Sequence, residues 1–117
     1  DFCTCSAEDI QTKRKLRKFT NVLPEKFTLR FKNPFIHGTL LIRKDSFINI
    51  GGYNEDFIYA QDYKLFVDLV RNGSKFKNIN KVLYKLNTTN NISVNKKDIQ
   101  SYYADCVKNN LKPDGRR

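Results

Sequence analysis

The chain has 117 residues, of which 39% are hydrophobic, including nine Phe and six Tyr. This length and composition predict a single domain over residues 1–117 with one hydrophobic core, and they argue against a disordered chain. The sequence contains neither an apolar run of the roughly 18 residues that span a bilayer nor a signal-peptide pattern. The net charge of +10 favours anionic partners, namely nucleotides, phospholipid head groups or nucleic acid.

The chain contains no Met and starts at Asp1, so we expect it to be part of a longer protein. The three cysteines, Cys3, Cys5 and Cys106, lack the spacing of a disulfide framework, which favours reduced thiols and a cytoplasmic setting. Small buried side chains are their ordinary interpretation. A zinc site would need more ligands, because His37 is the only histidine.

The first half of the chain predicts few regular elements. Residues 1–6 can form a short strand, and residues 8–19 read as a loop or irregular helix. Five basic residues fall within positions 13–18, where a solvated surface competes with contact to phosphate or membrane. After Asn33-Pro34, which disfavours helix, residues 37–44 have the pattern of a short buried strand.

The second half predicts more regular structure. Asp45 or Ser46 can cap a short helix that Gly51 ends, with Phe47 and Ile50 on its buried face. The predicted elements, in chain order, are a short helix at 44–52, a loop with apolar anchors at 53–60, a largely buried helix at 61–72, one or two strands at 75–86 and a final amphipathic helix at 97–109.

Asp62 is the strongest candidate for a reactive side chain. A helix N-terminus stabilises a carboxylate in its charged form, so Asp62 could accept a proton at neutral pH. Asp is equally a preferred N-cap residue, and the residues alone leave both roles open. Gly-rich phosphate loops, a Ser-His-Asp arrangement and a nucleic-acid-binding signature are all missing from the sequence.

Residues 33–86 resemble the acceptor-side half of a family-2 glycosyltransferase with the GT-A fold. The residues that match the family pattern are His37, Gly38, Thr39, Arg43, Lys44, Gly51, Gly52, Tyr53, Asp62, Tyr63 and Leu65. The resemblance implies an α/β fold, the C-terminal part of a GT-A-like mixed sheet with flanking helices, incomplete without the N-terminal nucleotide-binding half. It is closest to bacterial enzymes that build envelope polysaccharides.

The resemblance also implies roles for individual residues. Asp62 takes the position of the catalytic base in an inverting transfer from a nucleotide-sugar to an acceptor hydroxyl. Gln61 replaces the acidic residue that usually precedes the base. The substrate-binding residues implied are His37, Thr39, Gly51, Gly52, Tyr53 and Gln61.

Two departures from the family pattern limit what this chain can do. Leu86 and Thr88 stand near the places where the family often has Arg and His. The Asp-x-Asp metal motif of the donor half is missing, so the resemblance implies Mg²⁺ or Mn²⁺ for the full-length enzyme, no metal bound by this chain, and no activity of the chain alone. The implied location is the cytoplasm, with a peripheral position at the inner face of the membrane as an alternative.

Two further hypotheses remain open. The first is a non-catalytic basic module that binds an anionic membrane surface or nucleic acid through Lys13–Lys18, with nucleic acid the less favoured partner. The second is self-association through a sheet edge that the missing half would otherwise cover.

Overall fold

The computed structural model describes residues 1–16, 24–89 and 96–117. Within these ranges the chain forms four strands, four α-helices and one 3₁₀ turn around a shared hydrophobic core. The elements in chain order are β1 (Phe2–Asp9), β2 (Lys15–Leu16), α1 (Glu25–Thr28), the 3₁₀ turn (His37–Thr39), β3 (Leu41–Ile42), α2 (Lys44–Asn49), α3 (Gln61–Arg71), β4 (Phe76–Leu86) and α4 (Lys97–Lys108).

The sheet is mixed, with β1 at its centre. Strand β4 runs parallel to β1 from Phe2 to Asp9, with register shifts around Ser6. Strands β3 and β2 share the other edge of β1, and both are antiparallel to it. On β1 the buried residues alternate with half-buried ones as far as Ser6, so one face of the strand packs on the core.

An aromatic cluster joins the sheet to α3. Phe35 and Phe66 are almost fully buried, and their ring centroids lie 4.6 Å apart. Phe2 of β1 contacts both rings at 5.7 Å and stacks on Phe76 of β4 at 5.2 Å. Such offset and edge-to-face pairs add about 0.5–1.5 kcal/mol each beyond the burial of their area. Helix α3 is therefore fixed firmly against the sheet.

The helices and the loop of the second half follow the sequence prediction. Helices α2, α3 and α4 fall within the predicted ranges, and residues 53–60 form a loop anchored by the buried Phe57. The one or two strands predicted within residues 75–86 are a single strand, β4. None of the helices in the described ranges has the length and apolar composition that a bilayer crossing requires.

The predictions for the first half are confirmed in part. The strand predicted for residues 1–6 is present and extends to Asp9. For residues 8–19 the sequence predicts a loop or irregular helix, but residues 8–16 finish β1 and pass through a turn into β2, and residues 17–19 lie outside the described residues. Residues 37–44 are not a buried strand, because a 3₁₀ turn leads into only two strand residues and Leu41 is 71% exposed. Cys3 and Cys5 lie on the half-buried face of β1, whereas Cys106 is buried.

The predicted N-caps are also wrong. Helix α2 begins after Arg43, and its N-cap makes no side-chain hydrogen bond. The Asp45 carboxylate instead pairs with the Arg43 guanidinium at 3.1 Å. Helix α3 begins after Ala60, so Asp62 is its second residue and is not its cap.

Candidate active site

The Asp62 carboxylate is held in a fixed direction at the start of α3. The side-chain amide of Asn33 donates to Asp62 Oδ2 at 3.0 Å, and Asn33 Oδ1 accepts the backbone N–H of Phe35 at 3.0 Å. Because the oxygen of Asn33 is engaged by its own turn, its NH₂ group must face Asp62. A contact between residues 29 positions apart thus sets the orientation of the carboxylate.

One oxygen of Asp62 remains available for a ligand. Asp62 Oδ1 accepts no hydrogen bond from any residue that the structure describes. The side chain is half-buried and lines an open groove of about 370 Å³ together with Asn33 and Gln100. Lys32 and Lys97 also line this groove, and neither forms an ion pair within the described ranges. A hydroxyl-bearing ligand in the groove could therefore donate to Oδ1.

The backbone immediately before Asp62 is strained. Ala60 adopts the left-handed conformation, with φ 53° and ψ 25°, although it is not a glycine. This conformation costs an L-residue on the order of 1–3 kcal/mol and persists only where the surroundings impose it. Gln100 of α4 imposes it by accepting the Ala60 N–H at 3.2 Å through Oε1. Helix α4 thereby fixes where α3, and hence Asp62, begins.

His37 and Tyr53 form a second pair of predicted site residues. His37 Nε2 and the Tyr53 hydroxyl oxygen lie 2.6 Å apart and share a hydrogen bond. The Tyr53 ring packs edge-on against Phe47 of α2 at 5.4 Å and is still 41% exposed. Burial, and then the negative charge of Asp62, raise the pKa of the Tyr53 hydroxyl above its usual value. Tyr53 is therefore within electrostatic reach of Asp62.

Among the other predicted substrate-binding residues, Thr39, Gly51 and Gly52 have roles in the fold. The Thr39 hydroxyl donates to the Ile36 carbonyl at 2.8 Å and accepts the Cys5 N–H at 3.0 Å, which ties the 3₁₀ turn to β1. Gly51 and Gly52 end α2, with φ of 82° and 72°. Gln61 is exposed next to Asp62. Their contacts with a substrate stay predictions.

Sequence reasoning missed two residues that shape this site, Asn33 and Gln100. The Asn33-Pro34 dipeptide is a turn signal in which the Asn side chain often accepts a nearby backbone N–H, so a turn role was visible in the sequence. The contact between its amide and Asp62 was not visible in the sequence, because no local pattern connects the two residues. Gln100 looks like an ordinary polar residue on the first turns of α4.

The described residues do not supply a metal site. Across residues 1–16, 24–89 and 96–117, no three His, Cys, Asp or Glu side chains are arranged to hold a metal ion. The oxygen-bearing side chains in the described lining of the groove at Asp62 are one carboxylate, two amides and two hydroxyls, from Asp62, Asn33, Gln100, Tyr63 and Ser101. A single carboxylate is a poor set for a divalent cation, and the Mg²⁺ or Mn²⁺ implied for the full-length enzyme stays a prediction.

The predicted basic run from Lys13 to Lys18 lies only partly within the structure. Lys13 and Arg14 are exposed in the turn between β1 and β2, and Lys15 Nζ donates to Asn80 Oδ1 at 3.2 Å. Arg17 and Lys18 fall outside the described residues. The run is separate from the groove at Asp62, since none of its described members lines that groove.

Comparison with known proteins finds similarity to part of a glycosyltransferase. Over 57 residues the chain is 37% identical to the amylovoran biosynthesis glycosyltransferase AmsE of Erwinia amylovora. The similarity covers 49% of this chain but only 21% of that protein, so the chain spans about a fifth of the relative's length. No protein-family model and no solved structure matches the chain.

Proposed function

We propose that this chain is the acceptor-side part of an inverting family-2 glycosyltransferase of the GT-A fold, with Asp62 as its catalytic base. The proposal rests mainly on the surroundings of the Asp62 carboxylate. One of its oxygens accepts a hydrogen bond from Asn33, the other accepts none from a described residue, and the side chain lines a groove. The partial similarity to a polysaccharide-building glycosyltransferase supports the same reaction class.

The proposed step uses Asp62 Oδ1 as the proton acceptor. As the acceptor hydroxyl loses its proton to Oδ1, its oxygen forms a bond to the anomeric carbon of the donor sugar. The bond between that carbon and the diphosphate oxygen breaks, and the nucleoside diphosphate leaves with the electron pair. Attack from the face opposite the leaving group inverts the configuration. Asn33 contributes by holding the carboxylate in place before the hydroxyl arrives.

We propose that Tyr53 and His37 contact the acceptor sugar. Tyr53 presents a partly exposed ring, a shape on which the apolar face of a sugar can stack. Its hydroxyl is tied to His37 at 2.6 Å, which restricts the orientation of the ring. We propose that this pair forms one wall of the acceptor site, with Gln61 as a hydrogen-bonding group beside Asp62.

The nucleotide-sugar and its divalent metal are assigned to a donor-binding half outside this sequence. The chain alone is then expected to bind a nucleotide-sugar weakly and to transfer nothing. Calorimetric titration of the 117-residue chain with a panel of nucleotide-sugars tests this expectation. Tight binding of any donor would contradict the assignment of the donor site to another part of the protein.

Replacement of Asp62 in the cell tests the proposed function. A strain whose gene carries Asp62→Asn should lose the same surface polysaccharide as a strain that lacks the gene. Asp98→Asn is a matched control, since Asp98 is likewise the second residue of its helix but does not line the groove. Retention of the polysaccharide in the Asp62→Asn strain, with the protein at normal abundance, would overturn the proposal.

A further inference from the structure

A second groove, separate from Asp62, lies between α1, α3 and α4. It has a volume of about 570 Å³, and four cationic side chains line it: Lys26, Arg30, Arg71 and Lys108. No carboxylate is part of its described lining. We refer to it below as the cationic groove.

The charge of the cationic groove is largely uncompensated. Lys26 and Arg30 form no ion pair with any residue in the described ranges. Arg71 donates to the neutral side-chain oxygen of Asn110 at 2.9 Å. Only Lys108 has an acidic partner, Asp105 at 2.9 Å, in a pair that is exposed to solvent. Four like charges held around one cavity repel each other, and an anion between them would relieve that repulsion.

The floor of the cationic groove is apolar. Leu29, Val67 and Val107 are buried side chains of the core that reach this surface, and Val70 is half-buried beside them. The groove at Asp62 also has lysines in its described lining, and it shares Lys108 with the cationic groove, but it differs in having a carboxylate and side-chain amides. Cations around an aliphatic floor suit a ligand that carries a negative group and a short apolar stretch next to it.

We propose that the cationic groove binds the phosphate head group of an anionic lipid, with the first carbons of the lipid chains over the aliphatic floor. Lys and Arg near an anionic lipid surface attract it additively, and long cationic side chains can keep their charge at the head groups while their stems cover apolar surface. A single-stranded nucleic acid fits less well, because no aromatic side chain in the lining could stack on a base. The inference does not depend on the proposed glycosyl transfer.

Sedimentation of the 117-residue chain with lipid vesicles tests the inference. Binding to vesicles of phosphatidylcholine mixed with phosphatidylglycerol should exceed binding to phosphatidylcholine alone. The Lys26→Gln/Arg30→Gln variant should weaken binding to the mixed vesicles about tenfold or more. Neither residue has an ion pair to lose within the described ranges, so the variant should keep the thermal midpoint of the wild type.

The matched control removes the same number and type of charged side chains from the basic run at Lys13–Lys18. Lys13→Gln/Arg14→Gln also replaces one Lys and one Arg, both exposed and outside the groove. It should keep vesicle binding within about twofold of the wild type. An equal loss in both variants, or no loss in the Lys26→Gln/Arg30→Gln variant, would overturn the assignment to the cationic groove.

Two soluble ligands distinguish a groove that binds a lipid from one that binds free phosphate. Short-chain phosphatidic acid should bind the chain more tightly than glycerol phosphate, because only the former can cover the apolar floor. Val70→Ser should reduce the affinity for the short-chain lipid and leave that for glycerol phosphate unchanged. Equal affinities for the two ligands would identify a site for free phosphate and overturn the lipid assignment.

Discussion

The two ends of α3 are built in different ways. Its C-terminal end follows the usual rules, because Gly73 adopts φ 81° and the N–H groups of Gly73 and Ser74 donate to the Val70 and Leu69 carbonyls. This is the Schellman pattern, which satisfies carbonyls that a helix end would otherwise leave free. Its N-terminal end lacks a side-chain cap, as do the other three described helices, and differs from them because a non-glycine residue, Ala60, stands there in the left-handed conformation.

The contrast shows that the start of α3, unlike its end, depends on contacts from outside the helix. Helix α2 and helix α4 also end in Schellman patterns, so regular C-terminal ends are the norm in this protein. The irregular start of α3 is maintained by contacts from outside the helix, through Gln100 to Ala60 and through Asn33 to Asp62. Local rules are broken most often at functional sites, which agrees with the placement of the proposed base at this end.

Among the residues around Asp62 at the N-terminal end of α3, the largest loss of kcat is expected from changes to Asn33, which positions Asp62. Asn33→Asp keeps the oxygen that accepts the Phe35 N–H but places a second carboxylate against Asp62. We expect kcat for transfer to fall by up to about a hundredfold, because a displaced base loses its alignment with the acceptor hydroxyl. Steady-state kinetics of the full enzyme should show the loss in kcat more than in KM.

A comparison with Asn33→Ala completes this test. The alanine variant loses both hydrogen bonds, so it should lower the stability as well as kcat. If Asn33→Asp kept the kcat of the wild type, the hydrogen bond to Asp62 would have no part in positioning the base.

The next largest effect is on stability and concerns Tyr63 in the first turn of α3. The hydroxyl of the buried Tyr63 donates to the Leu29 carbonyl, and burial raises the pKa of this hydroxyl to about 12. Tyr63→Phe would leave the Leu29 carbonyl without this donor, which should lower the free energy of unfolding by about 1–3 kcal/mol. Urea denaturation measures the change. An unaltered midpoint would mean that water replaces the hydroxyl and that this bond does not fix the start of α3.

A smaller effect distinguishes two glycines at equivalent helix ends. Gly51 after α2 and Gly73 after α3 both have φ above 80°, and a Cβ added to either would meet nothing within 4 Å. Changing each to Ala should cost about 1 kcal/mol of stability, because an L side chain disfavours this conformation. If Gly51 also approaches the acceptor sugar, Gly51→Ala should reduce transfer and Gly73→Ala should not. Equal activities would assign Gly51 to the helix end alone.

The smallest predicted effect lies far from α3 and depends on pH. Asp9 accepts hydrogen bonds from the Thr88 hydroxyl and from the backbone N–H groups of Thr12 and Gln11, which hold the pKa of its carboxyl below the usual value. A lowered folded-state pKa stabilises the protein above the unfolded value of about 3.9, and this contribution disappears as the pH falls through the folded value. Asp9→Asn should therefore destabilise the chain at pH 7.

Thermal unfolding across a pH series checks this prediction. The difference between the wild type and Asp9→Asn should shrink steadily below about pH 4. A difference that stays constant into acid would show that the charge of Asp9 does not contribute to stability. Activity at neutral pH should follow only the fraction of folded protein, because Asp9 lines neither groove.

The sequence predicted the regular parts of this fold well, for physical reasons. Residues Tyr63, Phe66, Leu69 and Val70 repeat with the period of a helix, and all face the core in α3. Gly51 correctly predicted the end of α2. These features depend on interactions within a few residues, which local patterns report directly.

The features that sequence reasoning missed depend on distant contacts. The residue type of Asp62 fits an N-cap, but α3 begins after Ala60, whose N–H bonds to Gln100, 40 positions away. Residues 37–39 form a 3₁₀ turn in place of the expected buried strand, and Thr39 ties this turn to Cys5 of β1. The resemblance to glycosyltransferases favours Asp62 over the other carboxylates, and its role as a base stays a prediction; the hydrogen bond from Asn33 to Asp62 could not be predicted from the sequence.

The most direct test of the account is the turnover number of the full enzyme with Asp62→Asn. The asparagine keeps the shape of the side chain but cannot accept the proton of an acceptor hydroxyl, so kcat should fall by about 10²–10⁴-fold. Asp98→Asn should retain the kcat of the wild type, and both variants should unfold at the wild-type temperature. A folded Asp62→Asn enzyme with near-normal kcat would contradict the assignment of Asp62 as the base.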